Sequence, residues 1–222
     1  MLSFNLTYMW YAIVILTAAL LAIFIYLLIR KLVEARTNHI IESYMNDQQM
    51  NMFTYLSEGE FSRQLIPDTT IRFISLEKLL QHYARSLGGE AVKSRITDYA
   101  EKFFKDPYTR TLKQRSWSKR MNVLYHIDDF QMTSMEDVLV QLCDHHRLSK
   151  AEQLQIYRIL ASFGNMNLFS YLSKSNPNIP DLTYREILVR FLTVIWRLEG
   201  IVQVIMRKRS WGEMKRKGVS SK

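Results

Sequence analysis

A single cysteine, Cys143, occurs in the whole chain. No intramolecular disulfide can therefore staple the fold, and a reducing compartment is the matching environment. Prolines number four and glycines seven, too few turn formers for a sandwich or barrel of many short strands. The common catalytic signatures are missing as well: no glycine-rich phosphate cradle follows a strand, and G-x-S-x-G, H-E-x-x-H and C-x-x-C do not occur. Charge is absent from Met9 to Ile29, which reads MWYAIVILTAALLAIFIYLLI, and Arg30 and Lys31 follow at once.

At about 1.5 Å of rise per residue, a helix over that run covers the roughly 30 Å hydrocarbon core of a bilayer and satisfies its own backbone polar groups. Segment 1–30 is therefore expected to hold one transmembrane helix. No charged side chain precedes the run, whereas Lys and Arg follow it, so the amino terminus is expected outside and the remainder cytoplasmic. Trp10, Tyr11 and Tyr26 sit near the two ends of the run, where aromatic rings suit the membrane interfaces. A cleaved signal peptide would place its basic residues before a shorter apolar core, the reverse of this order. The expectation is a single-pass protein of the cell membrane.

Helical spacing continues beyond the bilayer. Leu32, Val33, Ile40, Ile41, Tyr44, Met45, Met52, Phe53 and Leu56 form a recurring stripe, so 31–60 reads as a juxtamembrane amphipathic helix continuous with the span to about Leu56. Such a stripe can pack on the domain behind it or pair with a second copy, giving a homo-oligomer. Region 61–206 shows apolar positions three and four apart and no period-two run, so further helices are expected over 68–87, 90–105, 108–113, 116–130, 134–147, 150–163, 166–174 and 183–206. Ser149 with Glu152 and Thr183 with Glu186 each have the spacing of a capping box. The fold class is all-α: an antiparallel helical array behind an anchor.

Met121, Leu124, Ile127 and Phe130 recur 33 positions later as Leu154, Tyr157, Leu160 and Phe163. On these residues, the stretch from about Arg95 to Trp196 resembles the HEAT-like and armadillo-like helical repeat families. RMNVLYHIDDF at 120–130 and QLQIYRILASF at 153–163 look like inner helices of successive units. The resemblance implies an α-solenoid whose extended surface docks proteins. An irregular helical bundle is the alternative reading of the same spacing.

Two basic groups stand out. Arg110, Lys113, Arg115, Lys119 and Arg120 surround Trp117; guanidinium forks and an indole face suit an anionic ligand, a nucleotide or an acidic partner. The tail 207–222 holds Arg207, Lys208, Arg209, Lys215, Arg216, Lys217 and Lys222 against Glu213 alone, and with Trp211 it suits anionic lipid at about 1 kcal/mol per basic residue. An unpartnered solvated linker and tail are the plainer readings. Nucleic acid is not expected for a chain tethered to a leaflet.

Other polar groups are weaker. Cys143, Asp144, His145 and His146 are adjacent, so a helix would spread them around its axis instead of converging them on one metal ion. His126, Asp128 and Asp129 read as an exposed acidic helix end, and Asp98 with Glu101 as part of a surface ion-pair network with Arg95 and Lys102. Asp98, Glu101, His126 and Asp129 are the residues a catalytic reading would use. No cofactor or metal is expected. A short anchor before a HEAT-like region is similar to accessory proteins of bacterial envelope assemblies, some of which partner membrane glycosyltransferases. That similarity implies a non-catalytic scaffold or regulatory subunit docking proteins at the membrane; a membrane-tethered sensor of an anionic ligand is the alternative.

Overall fold

The computed structural model describes residues 2–144, 148–174 and 180–196, and among them every regular element is helical. The helices are α1 (Leu2–Glu58), α2 (Thr70–Ser86), α3 (Glu90–Leu112), α4 (Trp117–Phe130), α5 (Glu136–Cys143), α6 (Lys150–Phe163), α7 (Leu168–Lys174) and α8 (181–196). Two compact units divide the chain, 1–80 and 81–222, with the boundary inside α2.

In the first unit α1 is one unbroken helix, long and apolar enough near its start to cross a membrane. Every large apolar side chain described between Tyr8 and Val33 is exposed. Thr17, a polar residue in that stretch, returns its hydroxyl to the Ile13 carbonyl at 2.8 Å, so it carries no unsatisfied donor into an apolar medium. The other half of the helix behaves differently. Ile41, Gln48, Met52 and Leu56, spaced by seven, four and four positions, are buried on one face, together with Leu65 of a 3₁₀ turn (Arg63–Leu65) and Leu76 of α2. Tyr44 donates its hydroxyl to the Gln64 carbonyl at 2.7 Å, Asn51 reaches the Gln64 side chain at 2.8 Å, and Ser75 points at the Ile41 carbonyl. Ile41, Met52 and Leu56 of the distal stripe thus pack within the chain, whereas Leu32, Val33, Ile40 and Phe53 remain exposed. Gly59, at φ +89°, ends the helix in a conformation that side chains resist.

In the second unit α4 is the neighbour of both α3 and α6, and α6 also meets α5 and α7. The core fills with Tyr99, Phe104 and Tyr108 from α3, Leu124, Ile127 and Phe130 from α4, and Ile156, Ile159 and Leu160 from α6. Burial of side chains of this size is worth about 1.5–3 kcal/mol each. Of the 33-residue echo, all four α4 positions are buried; Tyr157 and Leu160 match them on α6, and Leu154 and Phe163 are half-buried.

Three expectations need correction. The helices expected over 90–105 and 108–113 are one, with Pro107 inside α3. Proline in a helix interior loses a hydrogen bond and strains the preceding turn, but Phe104 and Tyr108 lock the helix into the core on either side of it. The helix expected from residue 134 begins at Glu136 after a 3₁₀ turn (Thr133–Met135), and its expected end at 147 lies outside the described residues. The helix expected from 183 begins at 181, so Thr183 lies inside α8 and caps nothing; Glu186 instead pairs with Arg158 at 3.0 Å. Its expected stretch 197–206 lies outside the described residues. The other capping box forms in full: Ser149 Oγ accepts from the Glu152 N–H, and the Glu152 carboxylate accepts from the Ser149 N–H at 2.9 Å.

Candidate functional site

The basic stretch runs from the last turn of α3 into the first turn of α4. Arg110, Lys113, Arg115 and Lys119 are exposed, and the Trp117 ring is half-exposed. Arg120 is different. Its Nε lies 2.7 Å from a carboxylate oxygen of Glu152, and its Nη1 donates to the Gln114 carbonyl at 2.7 Å. Glu152 is 1 % exposed in this pair and Arg120 14 %. Burial alone would raise the Glu152 carboxyl, but the hydrogen bonds from Arg120 and Ser149 outweigh it and hold the group below the ordinary carboxylate range. Trp117 also turns inward at its polar edge, donating its indole N–H to Ser149 Oγ at 3.0 Å. The start of α4 is therefore tied to the start of α6 by two side chains that the sequence offered as ligand contacts.

A second polar seam lies at the other end of α4. Asp128 accepts from Arg190 of α8 at 2.9 Å and from Gln155 of α6 at 3.4 Å; Arg158 and Arg190 both hold Glu186. Asp129 accepts from Gln81 and Arg85, each at 2.8 Å. The acidic end read as exposed is thus half-buried and bridges four segments. Its partners lie up to 62 residues away, beyond the reach of local spacing.

The remaining sequence candidates do not meet. Glu101 accepts the Ser134 backbone N–H at 3.1 Å, Asp98 is exposed, and the His126 ring stacks between Tyr108 and Phe130. Cys143 ends α5, where burial and then the Asp144 charge push its thiol up to about 12; His145 and His146 lie outside the described residues. Among the described residues no three metal-ligating side chains gather. Arg207, Lys208, Arg209, Trp211, Lys215, Arg216 and Lys217 of the tail also lie outside the described residues.

No family model, curated protein or solved structure matches this chain. What distinguishes its surface is apolar. Besides α1, the outer side of α8 exposes Leu182, Val189, Leu192 and Trp196, a feature missed in the sequence although their spacing of seven, three and four was legible there.

Proposed function

We propose that this chain is a single-pass membrane protein whose helical domain docks partner proteins at the cytoplasmic face, as a scaffold or regulatory subunit and not as a catalyst. The observation that carries this reading is the division of α1. From Tyr8 to Ile29 it presents a charge-free, apolar surface with nothing covering it among the described residues, and the same helix then buries Ile41, Met52 and Leu56 against the chain. Exposure of that much aliphatic surface to water opposes folding at about 25 cal/mol per Å², whereas a bilayer accepts it. Arg30, Lys31 and Arg36 just after the run favour the amino terminus outside.

The docking role rests on long helical surface that, among the described residues, gathers no group of three metal-ligating side chains. In this reading α4 and α6, neighbours that share the echo, are stacked inner helices of a repeat-like array. Its partner class is the one implied by the resemblance, a membrane glycosyltransferase of a bacterial envelope complex. A reporter fused after Lys222 should be active only in the cytoplasm, and the chain should resist alkaline extraction from membranes. Crosslinking in native membrane should then return a stoichiometric protein partner. Periplasmic reporter activity refutes the orientation, and a chain that crosslinks to nothing refutes the scaffold.

A further inference from the structure

The last helix carries two faces of unlike purpose. Its inner face is spent on the second unit: Ile187 and Phe191 are buried, Phe191 meets the Phe169 ring edge-on at 4.9 Å, and Arg190 is bound to Asp128. Its outer face is exposed, yet it is apolar at positions 182, 189, 192 and 196, with Arg185 as the cation in the row. Val189 is 62 % exposed, Leu192 52 % and Trp196 75 %. At about 1.5 Å per residue the row runs for roughly 20 Å. Isolated exposed aliphatics are ordinary, but an aligned row ending in tryptophan marks a contact surface.

We infer that the outer face of α8, through Val189, Leu192 and Trp196, lies in the headgroup region of an anionic lipid leaflet. This rests on the membrane reading above, since α1 would hold the second unit at high local concentration near lipid. Three observations select lipid. Tryptophan favours the membrane interface, where its ring is buried and its N–H stays wet. Arg185 can extend its guanidinium to a phosphate while its stem lies along the apolar row. The sequence after Trp196 continues through Ile201, Val202, Val204, Ile205 and Met206 into the seven cations of the tail, which complement anionic headgroups. A second copy on the same face would bring two such tails together, and like charge opposes that. An apolar helix face that carries an arginine and leads into a cationic stretch of sequence is suited to lying in the interface plane.

The test uses the full chain with Cys143→Ala, reconstituted in nanodiscs. A single environment-sensitive label is placed by Leu21→Cys, Leu192→Cys or Asn122→Cys. With brominated phosphatidylcholine plus phosphatidylglycerol, labels at 21 and 192 should both be quenched by lipid, and the label at 122, an exposed α4 position, should not. Quenching at 192 should decline in discs lacking phosphatidylglycerol and in high salt, and Val189→Glu with Trp196→Glu should abolish it without altering quenching at 21. If 21 is quenched and 192 stays accessible to aqueous iodide, the inference fails and the membrane reading stands. If 192 is shielded from both quenchers, protein covers the face and the inference also fails. Loss of quenching at 21 overturns the membrane reading itself.

Discussion

Replacing Glu152 by Gln tests the interior of the second unit most directly. One carboxylate serves three partners: Oε1 accepts from Arg120, and Oε2 accepts from the Ser149 N–H and hydroxyl. An amide offers one acceptor and one donor, so whichever way it turns, an N–H faces either a guanidinium or a backbone N–H. It also leaves the Arg120 cation 14 % exposed without its counter-charge. Breaking a buried pair by removing one partner costs about 3–5 kcal/mol, and losing half a capping box adds a fraction of that. Arg120 keeps the Gln114 carbonyl and some water, which puts the expected loss near 3 kcal/mol, or a Tm lower by about 6–12 °C for a unit of this size. The assay is thermal unfolding of the detergent-solubilised chain followed by helical circular dichroism. Arg120→Met should recover part of the loss when combined with Glu152→Gln, because the stranded cation is then gone. The sign with pH follows from the lowered carboxyl: its contribution is present above the ordinary value of about 4.3 and is lost as pH falls through the folded value. The gap between the parent and the variant should therefore narrow in acid. A Tm change under about 2 °C, or strict additivity of the two substitutions, refutes the assignment.

Other expectations follow from single sites. Gly164 ends α6 at φ +74°, and a Cβ there would sit 3.1 Å from Val194 Cγ1; Gly164→Ala should cost about 1–2 kcal/mol, read as a lower midpoint in urea. Pro107→Ala restores a backbone donor inside α3 and should stabilise by up to about 3 kcal/mol; a loss of stability would mean that the ring itself packs productively. Cys143, with its thiol pushed up to about 12, should react with iodoacetamide at pH 8 about a thousandfold more slowly than an ordinary thiol, and should match it once urea unfolds the chain. Asp128→Asn weakens the Arg190 and Gln155 bonds together and should cost about 1–2 kcal/mol, with hydrogen exchange rising first in α8.

Local pattern in the sequence was enough for much of this architecture. The charge-free run from Met9 to Ile29, the one-sided stripe through Ile41 and Leu56, and the Ser149–Glu152 box each lie within a single helical segment, where contacts form between residues three or four apart. The same holds for the start of α6 at Lys150, which the box marked. Helix existence is a local property, because the i to i+4 bond and the apolar stripe both repeat inside the segment that forms them.

Tertiary packing decided what the polar residues do. Arg120, a candidate ligand contact by sequence, is placed by α6 within 2.7 Å of Glu152, and Asp128 and Asp129, read as a solvated helix end, receive Arg190, Gln155, Gln81 and Arg85. Pro107 stays within a helix because Phe104 and Tyr108 are held in the core. Each outcome depends on residues dozens of positions apart, and a long-range partner leaves no period in the chain. Conversely, the apolar outer face of α8 took on meaning only once its opposite face was seen to be occupied by the core. Periodicity says that a helix has an apolar side, and only the assembled unit shows which apolar residues remain uncovered.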